Sequence, residues 1–454
     1  AADVSEGMND PIYNAHSYHT KVPHKAIMRY ILHYTKPGDV VFDGFCGTGM
    51  TGVAAQMCSN MTVVESLGYK VEKNGTVLQQ EIDENGKTIW KPFSKLGARQ
   101  AVLNDLSPAA AFIAYNYNNP VDVVTFEREA KRILKEVEDE CGWMYETKHT
   151  DGYSTGKIAY VIYSDNYYCP SCSKELILWN IAYDKSTKMK IGSEFRCDKC
   201  KADLSKRELK RVFITRYDHF LNKSVRLQKR TPVLIVYKIQ GVSYEKVPDS
   251  SDLDLLKKIE DITECNWFPI YPLPLGDKTK DAYNAGIVYV HNYFHVRALV
   301  TLSLLWNKAL SSVSSKSLLF CIQSIILSFT YLNRFFAASF SQVNRYLKGT
   351  IYVSPLVAEI SPSYGLQGKI NRFPSIASFS SISTITATNS LTQFDALSTN
   401  TIDYIFTDPP FGSNIMYSEL NFIWESWIKV FTNNMDEAIQ NETQKKSLVE
   451  YQDI

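Results

Sequence analysis

The chain has 454 residues, enough for about two to four domains of ordinary size. Hydrophobic residues make up 45% of the sequence and charged residues 21%, so a globally disordered chain is excluded. Lysine and arginine (49) nearly balance aspartate and glutamate (48), and the net charge of +1 excludes a uniformly basic coat. Any nucleic-acid surface is therefore expected to be a local patch.

The first hundred residues alternate between helix and strand patterns. Apolar residues at helical spacing predict a helix over His24–Tyr34, which ends before Pro37-Gly38. A buried strand at Asp39–Phe42 leads through a glycine-rich turn into a second helix. Turn signals within Gly68–Lys95 predict an inserted β-hairpin, and Gln100–Asn104 predicts another strand followed by a helix.

The rest of the chain divides into segments of different composition. Tyr153 to about Gly241 is β-rich, Ala285–Tyr346 is mainly helical, and Pro355–Asn389 is predicted to be loop because it is rich in serine, proline and glycine. Thr401–Thr407 returns to a strand. Ser317–Phe340 is long enough to cross a membrane, but its polar and charged residues favour a buried core helix and no membrane association.

A glycine-rich turn follows the first strand. Gly47, Gly49 and Gly52 have the spacing of a dinucleotide-binding turn, where glycines let a ligand approach a helix N-terminus closely. Asp43, at the end of the strand, would repel a pyrophosphate but attract the ammonium of a methionine-like ligand. Asp105 ends the next strand and can accept hydrogen bonds from ribose hydroxyls; capping the following helix is its alternative role.

The turn Asp408-Pro409-Pro410-Phe411 follows a later strand. Its two prolines fix the backbone and remove two N–H donors. Asp408 and the carbonyl of Pro409 can accept two hydrogen bonds from the exocyclic amine of a planar base, and Phe411 can stack on its ring. A proline-stiffened turn with a capping aspartate is the structural alternative.

Together the two turns resemble a known family. DGFCGTG at 43–49 and TDPPFG at 407–412 resemble the S-adenosylmethionine-dependent DNA amino-methyltransferases, which act on adenine N6 or cytosine N4. The segment 16–23 resembles their upstream cofactor-binding segment, and Asn104–Pro108 resembles their second motif. Gly44 stands where relatives usually have proline, which loosens the turn without abolishing binding.

The resemblance implies a fold and a domain arrangement. The expected fold is α/β, a Rossmann-like methyltransferase sheet with an inserted β-rich zinc-binding module and a helical segment. We expect the first part of the methyltransferase core at 1–150 (with the hairpin at about 68–95), a zinc-ribbon-like basic insertion at 151–245, helices and loops at 246–384, and the second part of the core at 385–454.

The resemblance also implies the site residues. Phe394–Leu397 resembles the motif whose aspartate meets the cofactor adenine, although Asp395 could instead be a surface turn residue. The implied cofactor-binding residues are Lys21, Asp43, Phe45, Cys46, Gly47, Gly49, Asp105, Leu106 and Asp395. The implied catalytic residues are Asp408, Pro409, Pro410 and Phe411, which position the amine of a flipped base for in-line attack on the methyl group.

Four of the nine cysteines form two CxxC pairs, Cys169 with Cys172 and Cys197 with Cys200. Two such pairs supply four thiolates for a tetrahedral zinc ion and leave no open position, so a structural zinc is predicted. Reduced thiols or a redox pair are the alternative. His291 and His295 are four residues apart, but no HExxH carboxylate accompanies them, and we expect both to pack in the protein.

A local basic excess follows the second cysteine pair. Residues 201–230 contain ten lysines and arginines against three acidic residues, with aromatic residues between them. This pattern suits contact with a phosphate backbone, and an ordinary solvated face is the alternative.

The sequence therefore predicts a DNA methyltransferase, with adenine N6 favoured, that binds double-stranded DNA in a bacterial or archaeal cytoplasm near the nucleoid. Restriction or phage-defence subunits are further expected partners. Cytosine-N4 or RNA guanine-N2 methylation, a non-catalytic zinc-bearing nucleic-acid-binding subunit and a nicotinamide oxidoreductase are the alternatives. Only a short polar run follows Phe431, whereas this fold usually has seven strands, so we expect further strands from outside this sequence.

Overall fold

The computed structural model describes residues 6–184, 194–375, 384–388, 400–410 and 412–454. The helices are α1 Pro11–Ala15, α2 His24–Tyr34, α3 Met50–Met57, α4 Met61–Ser66, α5 Pro108–Asn118, α6 Val123–Cys141, α7 Leu178–Ala182, α8 Ser250–Glu260, α9 Lys280–Asn284, α10 Val296–Leu310, α11 Ser315–Gln323, α12 Pro362–Ile370, α13 Tyr417–Ile428 and α14 Leu448–Asp453. Short 3-10 turns lie at Gly142–Tyr145, Val290–Tyr293, Ile326–Phe329, Phe373–Ser375 and Asn434–Asp436.

The strands are β1 Val40–Asp43, β2 Lys70–Val71, β3 Thr76–Ile82, β4 Thr88–Lys95, β5 Gln100–Asp105, β6 Glu146–Lys148, β7 Thr155–Tyr168, β8 Glu175–Ile177, β9 Glu194–Arg196, β10 Asp203–Ser205, β11 Lys210–Arg211, β12 Phe213–Asp218, β13 Lys223–Gln228, β14 Arg230–Ile239, β15 Val242–Lys246, β16 Leu356–Ile360, β17 Thr384–Thr388 and β18 Tyr404–Ile405. The chain is thus a mixed α/β protein with several separate sheets.

The chain divides into two compact units that interleave along the sequence. Unit 1 comprises Ala1–Glu127, Lys316–Cys321 and Ile370–Ile454, and unit 2 comprises Arg128–Ser315 and Ile322–Lys369. This division into compact units does not test the functional segments that we expect at 1–150, 151–245, 246–384 and 385–454. Those boundaries stay a prediction.

Unit 1 contains a four-stranded parallel sheet in the order β17-β5-β1-β18. In chain order, β1, β5, β17 and β18 are the first to fourth strands of this sheet. The first three are laid down in one direction, from β1 through β5 to β17, and β18 then pairs on the other side of β1. The strand order therefore reverses between β1 and β18. In open parallel sheets, ligands bind beyond the carboxyl ends of the strands at such a reversal. The edge formed by Asp43, Asp105 and the turn after β18 is therefore where a site is expected.

Local sequence patterns explain most of unit 1. The predicted helix over His24–Tyr34 is confirmed as α2, which buries Ile27, Met28, Ile31 and Leu32 and ends before the Pro37-Gly38 turn. The predicted hairpin is confirmed as β3 and β4, joined at a turn in which the Gly86 amide donates to the Asp83 carbonyl. The predicted strands before Asp43 and Asp105 are confirmed as β1 and β5.

Unit 2 is built around the 14-residue strand β7. Strands β6, β8, β11, β14 and β16 all pair with β7 in antiparallel fashion, and β15 extends the sheet from β14. The buried Arg297 guanidinium on α10 donates hydrogen bonds to both carboxylate oxygens of Glu359 on β16, at 2.8 and 2.6 Å. Since each charge is neutralised by a two-point contact, the pair can be accommodated in the interior.

Three sequence predictions are wrong in detail. Pro355–Asn389 is not all loop, because it contains the fully buried strand β16, the helix α12 and the strand β17. The serines and prolines that suggested a loop flank the mainly apolar residues of β16. Thr401–Thr407 contributes only the two-residue strand Tyr404–Ile405. The helix within Ser317–Phe340 ends at Gln323, and the residues from Ile325 to Asn333 are buried as a 3-10 turn and irregular chain.

Among the described residues, none of the helices combines the length and apolar character needed to span a membrane.

Replacing Gly52 with alanine is expected to destabilise unit 1. A Cβ at this position would lie 2.4 Å from the Asn118 Oδ1 atom and 2.9 Å from the Leu103 Cδ1 atom, so the packing must shift. Overpacking of this kind costs about 1–3 kcal/mol, which exceeds the gain in helix propensity. Gly368→Ala is the matched control, because a Cβ there meets no atom within 4 Å. Thermal unfolding should show a lower midpoint for Gly52→Ala only; an equal or higher midpoint contradicts the packing argument.

Candidate active site

The glycine turn and the Asp-Pro-Pro turn lie side by side in unit 1. Strand β1 pairs with β18 through Val41 with Tyr404 and Phe42 with Ile405. Beyond the last pair, the Thr407 hydroxyl donates to the Asp43 carboxylate at 3.2 Å. The juxtaposition that the two sequence motifs require is therefore present, at the strand-order reversal.

One cavity opens at this edge of the sheet. Its lining includes these residues predicted from sequence: Lys21, Asp43, Phe45, Cys46, Gly47, Asp105, Leu106, Asp408 and Pro410. Gly49 and Pro409 are not in the lining, although both belong to the lining turns. Asp395 and Phe411 lie outside the described residues, so their roles stay predictions.

Two carboxyl groups line the cavity, those of the buried Asp43 and the partly buried Asp105. Asp43 accepts hydrogen bonds from the Thr51 hydroxyl at 2.6 Å and from the Phe45 amide at 3.2 Å. Asp105 accepts from the amides of Gly47 and Ser107 at 2.8 and 2.9 Å. Burial raises the pKa of each group to about 6, because a charged carboxylate is poorly solvated there. A cationic ligand would stabilise the charged form of both.

Asp105 does not cap the helix that follows it. The N-cap of α5 is Ser107, whose hydroxyl accepts from the Ala110 amide. Because Asp105 faces the cavity instead, the alternative of a purely capping role is wrong. The Gly47 amide that it accepts from belongs to the glycine turn, so the carboxylate also ties this turn to the end of β5.

The glycine turn is shaped by backbone conformation. Gly47 and Gly49 have φ angles of +49° and +74°, a region that residues with a Cβ rarely adopt. Gly49 forms the N-cap of α3, and a Cβ on it would lie 2.7 Å from the Ala114 Cβ. Cys46, just before Gly47, is buried, and burial raises the pKa of its thiol, which keeps it neutral. Gly49 therefore acts through close packing rather than through a place in the cavity wall.

Lys21 brings a positive charge to the lining of the cavity. Its Nζ atom donates to the Tyr13 carbonyl at 2.6 Å and to the Tyr117 hydroxyl at 3.1 Å, and it lies 4.7 Å from the centre of each of those rings. These contacts hold the ammonium in place. It could meet an anionic group of a ligand in the cavity.

Asp408 lies at the mouth of the cavity. Its carboxyl group is partly exposed, and the burial that remains raises its pKa. The following Pro409 is exposed, and the Pro410 carbonyl accepts a hydrogen bond from the Tyr451 hydroxyl at 3.0 Å. The turn thus presents the Asp408 carboxylate to the cavity, and the hydrogen bond from Tyr451 holds its second proline, Pro410, in place.

Sequence reasoning missed a buried polar network on α13. Glu425 accepts from the Ser107 hydroxyl at 2.6 Å and from the Thr432 amide at 2.9 Å, and burial raises its pKa to about 7. The Asn421 side-chain amide donates to the Ser107 hydroxyl and to the Tyr18 hydroxyl, both at 2.9 Å. The available signal was the spacing of Asn421 and Glu425, four residues apart and therefore on one face of a helix that is rich in aromatic residues.

Tyr417, at the start of α13, also lines the cavity. Its hydroxyl bonds the Thr20 hydroxyl at 2.7 Å, and its ring stacks near Tyr18, with the ring centres 6.3 Å apart. An aromatic face is therefore available beside Asp408 from a residue that was not predicted.

The four predicted cysteines of unit 2 come together. The Sγ atoms of Cys169, Cys172, Cys197 and Cys200 all lie within 4.8 Å of one another. Each pair forms the same turn: the residue after its second cysteine, Ser173 or Lys201, has a positive φ angle. The amides of these residues donate to the carbonyls of Cys169 and Cys197.

Four convergent thiols with two matched turns fit a tetrahedral zinc ion. Backbone amide donors, that of Cys200 foremost, lower the pKa of the Cys197 thiol to about 6, whereas burial and hydrogen bonds with the neighbouring thiols raise the pKa of Cys200. His291 and His295 take no part in this cluster: His291 bonds Asp218 at 2.7 Å, and the His295 ring packs 4.0 Å from that of Tyr163.

Comparison with known proteins agrees with part of the sequence analysis. Residues 4–75 match the N6/N4 methyltransferase family model, described as DNA methylase. The match contains Lys21, Asp43 and the glycine turn and ends before the Asp-Pro-Pro turn. No curated protein and no solved structure matched the chain. Over this segment the chain is similar to DNA methylases of the N6/N4 class.

The buried state of Asp43 predicts a pH dependence of stability. The carboxyl ionises near pH 6 in the folded protein but near pH 4 in the unfolded chain. Between these values the folded state holds more protons, so its free energy of unfolding falls as the pH rises from about 4 to 6. Asp43→Asn removes this titrating group, so the free energy of unfolding should fall less steeply between about pH 4 and 6. At pH 7 the variant should have a free energy of unfolding about 1–3 kcal/mol higher than that of wild type.

Urea unfolding at several pH values tests this expectation. Glu72→Gln, which neutralises an exposed carboxylate of the same unit, serves as the control and should leave the slope unchanged. An unchanged slope in Asp43→Asn would show that the carboxyl is charged in the folded protein.

The cysteine cluster predicts one zinc ion per chain. Cys172→Ser and Cys200→Ser should each lower the zinc content measured by elemental analysis and speed amide exchange within 155–235, while exchange in β1 and β5 stays unchanged. Cys265→Ser is the matched control, because this free cysteine lies outside the cluster. Full zinc content in either cluster variant would refute the four-thiolate site.

Proposed function

We propose that this protein transfers a methyl group from S-adenosylmethionine to an exocyclic amino group of a flipped base in double-stranded DNA, with adenine N6 as the favoured target. The observation that carries the proposal is the single cavity lined by Asp43, Asp105 and Asp408 at the strand-order reversal. The match of residues 4–75 to the DNA methylase family model supports the class. The four-stranded parallel sheet is accordingly proposed to be a Rossmann-like methyltransferase sheet.

The charge of the cavity suits this cofactor. Five acidic residues line it, together with Lys21: Asp43, Asp105, Asp408, Asp436 and Glu437. A pyrophosphate would meet these carboxylates unfavourably, whereas S-adenosylmethionine brings a sulfonium and an ammonium group. This balance argues against a nicotinamide oxidoreductase.

Different residues are proposed to bind different parts of the cofactor. Asp43 would hold the ammonium group, Asp105 the ribose hydroxyls, and Lys21 the carboxylate of the methionine moiety. The Gly47 amide now bonded to Asp105 marks how closely the glycine turn approaches that carboxylate. Asp395 is proposed to contact the adenine ring.

S-adenosylmethionine supplies an electrophilic methyl group when it is bound. The chain itself contributes positioning: Asp408 and the Pro409 carbonyl accept the two N–H bonds of the target amine and orient its lone pair. Phe411 is proposed to stack on the base. No residue needs to remove a proton before transfer, so a strong general base is not required.

Zinc is proposed as a structural metal in unit 2. The four thiolates of the cluster complete its coordination and leave no place for a substrate. Location in the cytoplasm with the nucleoid, and restriction or phage-defence subunits as partners, are also proposals that follow from the DNA substrate.

Methyl transfer by the full chain tests the proposal. With labelled S-adenosylmethionine and duplex DNA, wild-type protein should label DNA, and Asp408→Asn should lower transfer by about 100-fold or more. Cofactor affinity, measured by calorimetry, should change less than about threefold, because Asp408 contacts the base side. Asp43→Asn should instead weaken cofactor affinity strongly.

Asp83→Asn, in the exposed turn of the β3–β4 hairpin, is the matched control and should behave as wild type. Chromatography of the digested product distinguishes N6-methyladenine from N4-methylcytosine, and an RNA substrate tests guanine N2. DNA binding without cofactor binding or transfer would overturn the enzymatic assignment and leave a zinc-bearing binding subunit.

A further inference from the structure

A two-stranded ribbon carries the centre of the basic segment in unit 2. Strands β12 and β13 pair antiparallel over six residues each, from Phe213 opposite Gln228 to Asp218 opposite Lys223. Six residues span about 20 Å, and a two-stranded ribbon fits the major groove of B-DNA, which is about 12 Å wide. The element therefore has the dimensions of a groove-binding ribbon.

The end of the ribbon is fixed by contacts with the segment 268–291. The His291 ring bonds the Asp218 carboxylate at 2.7 Å, and the Lys223 ammonium bonds the Tyr289 hydroxyl. At the turn, the rings of Phe220 and Phe268 meet edge to face at 4.8 Å. The two charged residues that close the ribbon are thus engaged within unit 2.

The other strand end is held by close backbone packing. Gly286 has a φ angle of +81°, and a Cβ on it would lie 2.2 Å from the carbonyl oxygen of Arg226. The Gln228 amide donates to the Ala285 carbonyl at 3.1 Å. Because residues 285 and 286 contact the backbone of β13 at Arg226 and Gln228, the ribbon is supported at this end as well as at its turn.

One face of the ribbon is exposed and polar. Thr215 lies opposite Arg226 and Tyr217 opposite Ser224, and all four are exposed. The Arg226 guanidinium lies 4.4 Å from the centre of the Phe213 ring on the same face, which restricts its orientation. Tyr217, 51% exposed, bonds Asn222 in the turn.

We propose that this face enters the major groove of duplex DNA and that Arg226 contacts the edge of a guanine, so that the ribbon determines the target sequence. The inference rests on the DNA substrate of the proposed function. Arginine pairs with guanine O6 and N7 through two hydrogen bonds, and hydroxyl groups such as those of Thr215 and Ser224 contact either donors or acceptors. Arg211, Lys229 and Arg230 of the basic segment are paired with acidic residues inside the protein. The exposed Arg207 and Lys210 are therefore the basic residues that we expect to contact phosphates and set the register.

The test is selection of binding sites from a random duplex library by the full chain. Wild-type protein should select a motif that includes one strongly preferred guanine. In Arg226→Lys, which keeps the charge but loses the two-point contact, that preference should fall by about tenfold or more. Affinity for unselected duplex DNA should change less than about threefold, because the phosphate attraction remains.

Arg207→Ala is the control, since Arg207 is exposed and lies outside the ribbon. It should weaken binding to all sequences and leave the motif unchanged. An unchanged motif in Arg226→Lys, or binding by wild type without any motif, overturns the inference. Methyl transfer is measured in parallel: a motif lost in Arg226→Lys without transfer by wild type would overturn the proposed function alone, and absence of DNA binding would overturn both.

Discussion

The parallel pairing of β1 with β18 is the contact on which the candidate site depends. It places Asp43 and Asp408 at one edge although more than 360 residues of chain separate them. The ladder has only two residue pairs, and Ile405 is largely exposed, so burial of apolar surface contributes little to it. Side chains reinforce it instead: the Asp403 carboxylate accepts from the Val40 amide at 2.8 Å, and the Tyr404 ring stacks on Tyr34.

The same edge concentrates groups that oppose folding. Asp43 and Glu425 are buried and Asp105 is partly buried, and loss of solvation raises the pKa of all three carboxyl groups. The hydrogen bonds that they accept only partly offset this loss. Groups with pKa values perturbed in this way cluster at functional sites. The Glu425 network has a second effect, because it holds the turn after β5 against the segment after α13. Ser107 and Thr432, which both line the cavity, are thus bonded to one residue of α13.

Sequence patterns predicted the parts of the site that are local in the chain. A buried strand, a positive-φ glycine turn and a helix follow from residues within a dozen positions, and Asp43 and Asp105 were identified because they end strands. The contacts of Glu425 were not predictable in this way, since Ser107 is more than 300 positions away. Strand β16 was missed because the composition of its flanks obscured five consecutive buried residues, a pattern that is typical of a central strand.

The place in the sequence where unit 2 is inserted explains how so long an insertion leaves the candidate site of unit 1 intact. Between two parallel strands the chain must return to the edge of the sheet from which both strands start, and α5 provides this return after β5. All of unit 2 lies between α5 and β17 in the sequence, after the chain has returned towards the edge of the sheet where the strands start. The carboxyl edge, with Asp43, Asp105 and the turn after β18, is not interrupted there. Because the entropy cost of closing a loop grows only with the logarithm of its length, an insertion at this point lengthens the connection at little cost to the strand pairing.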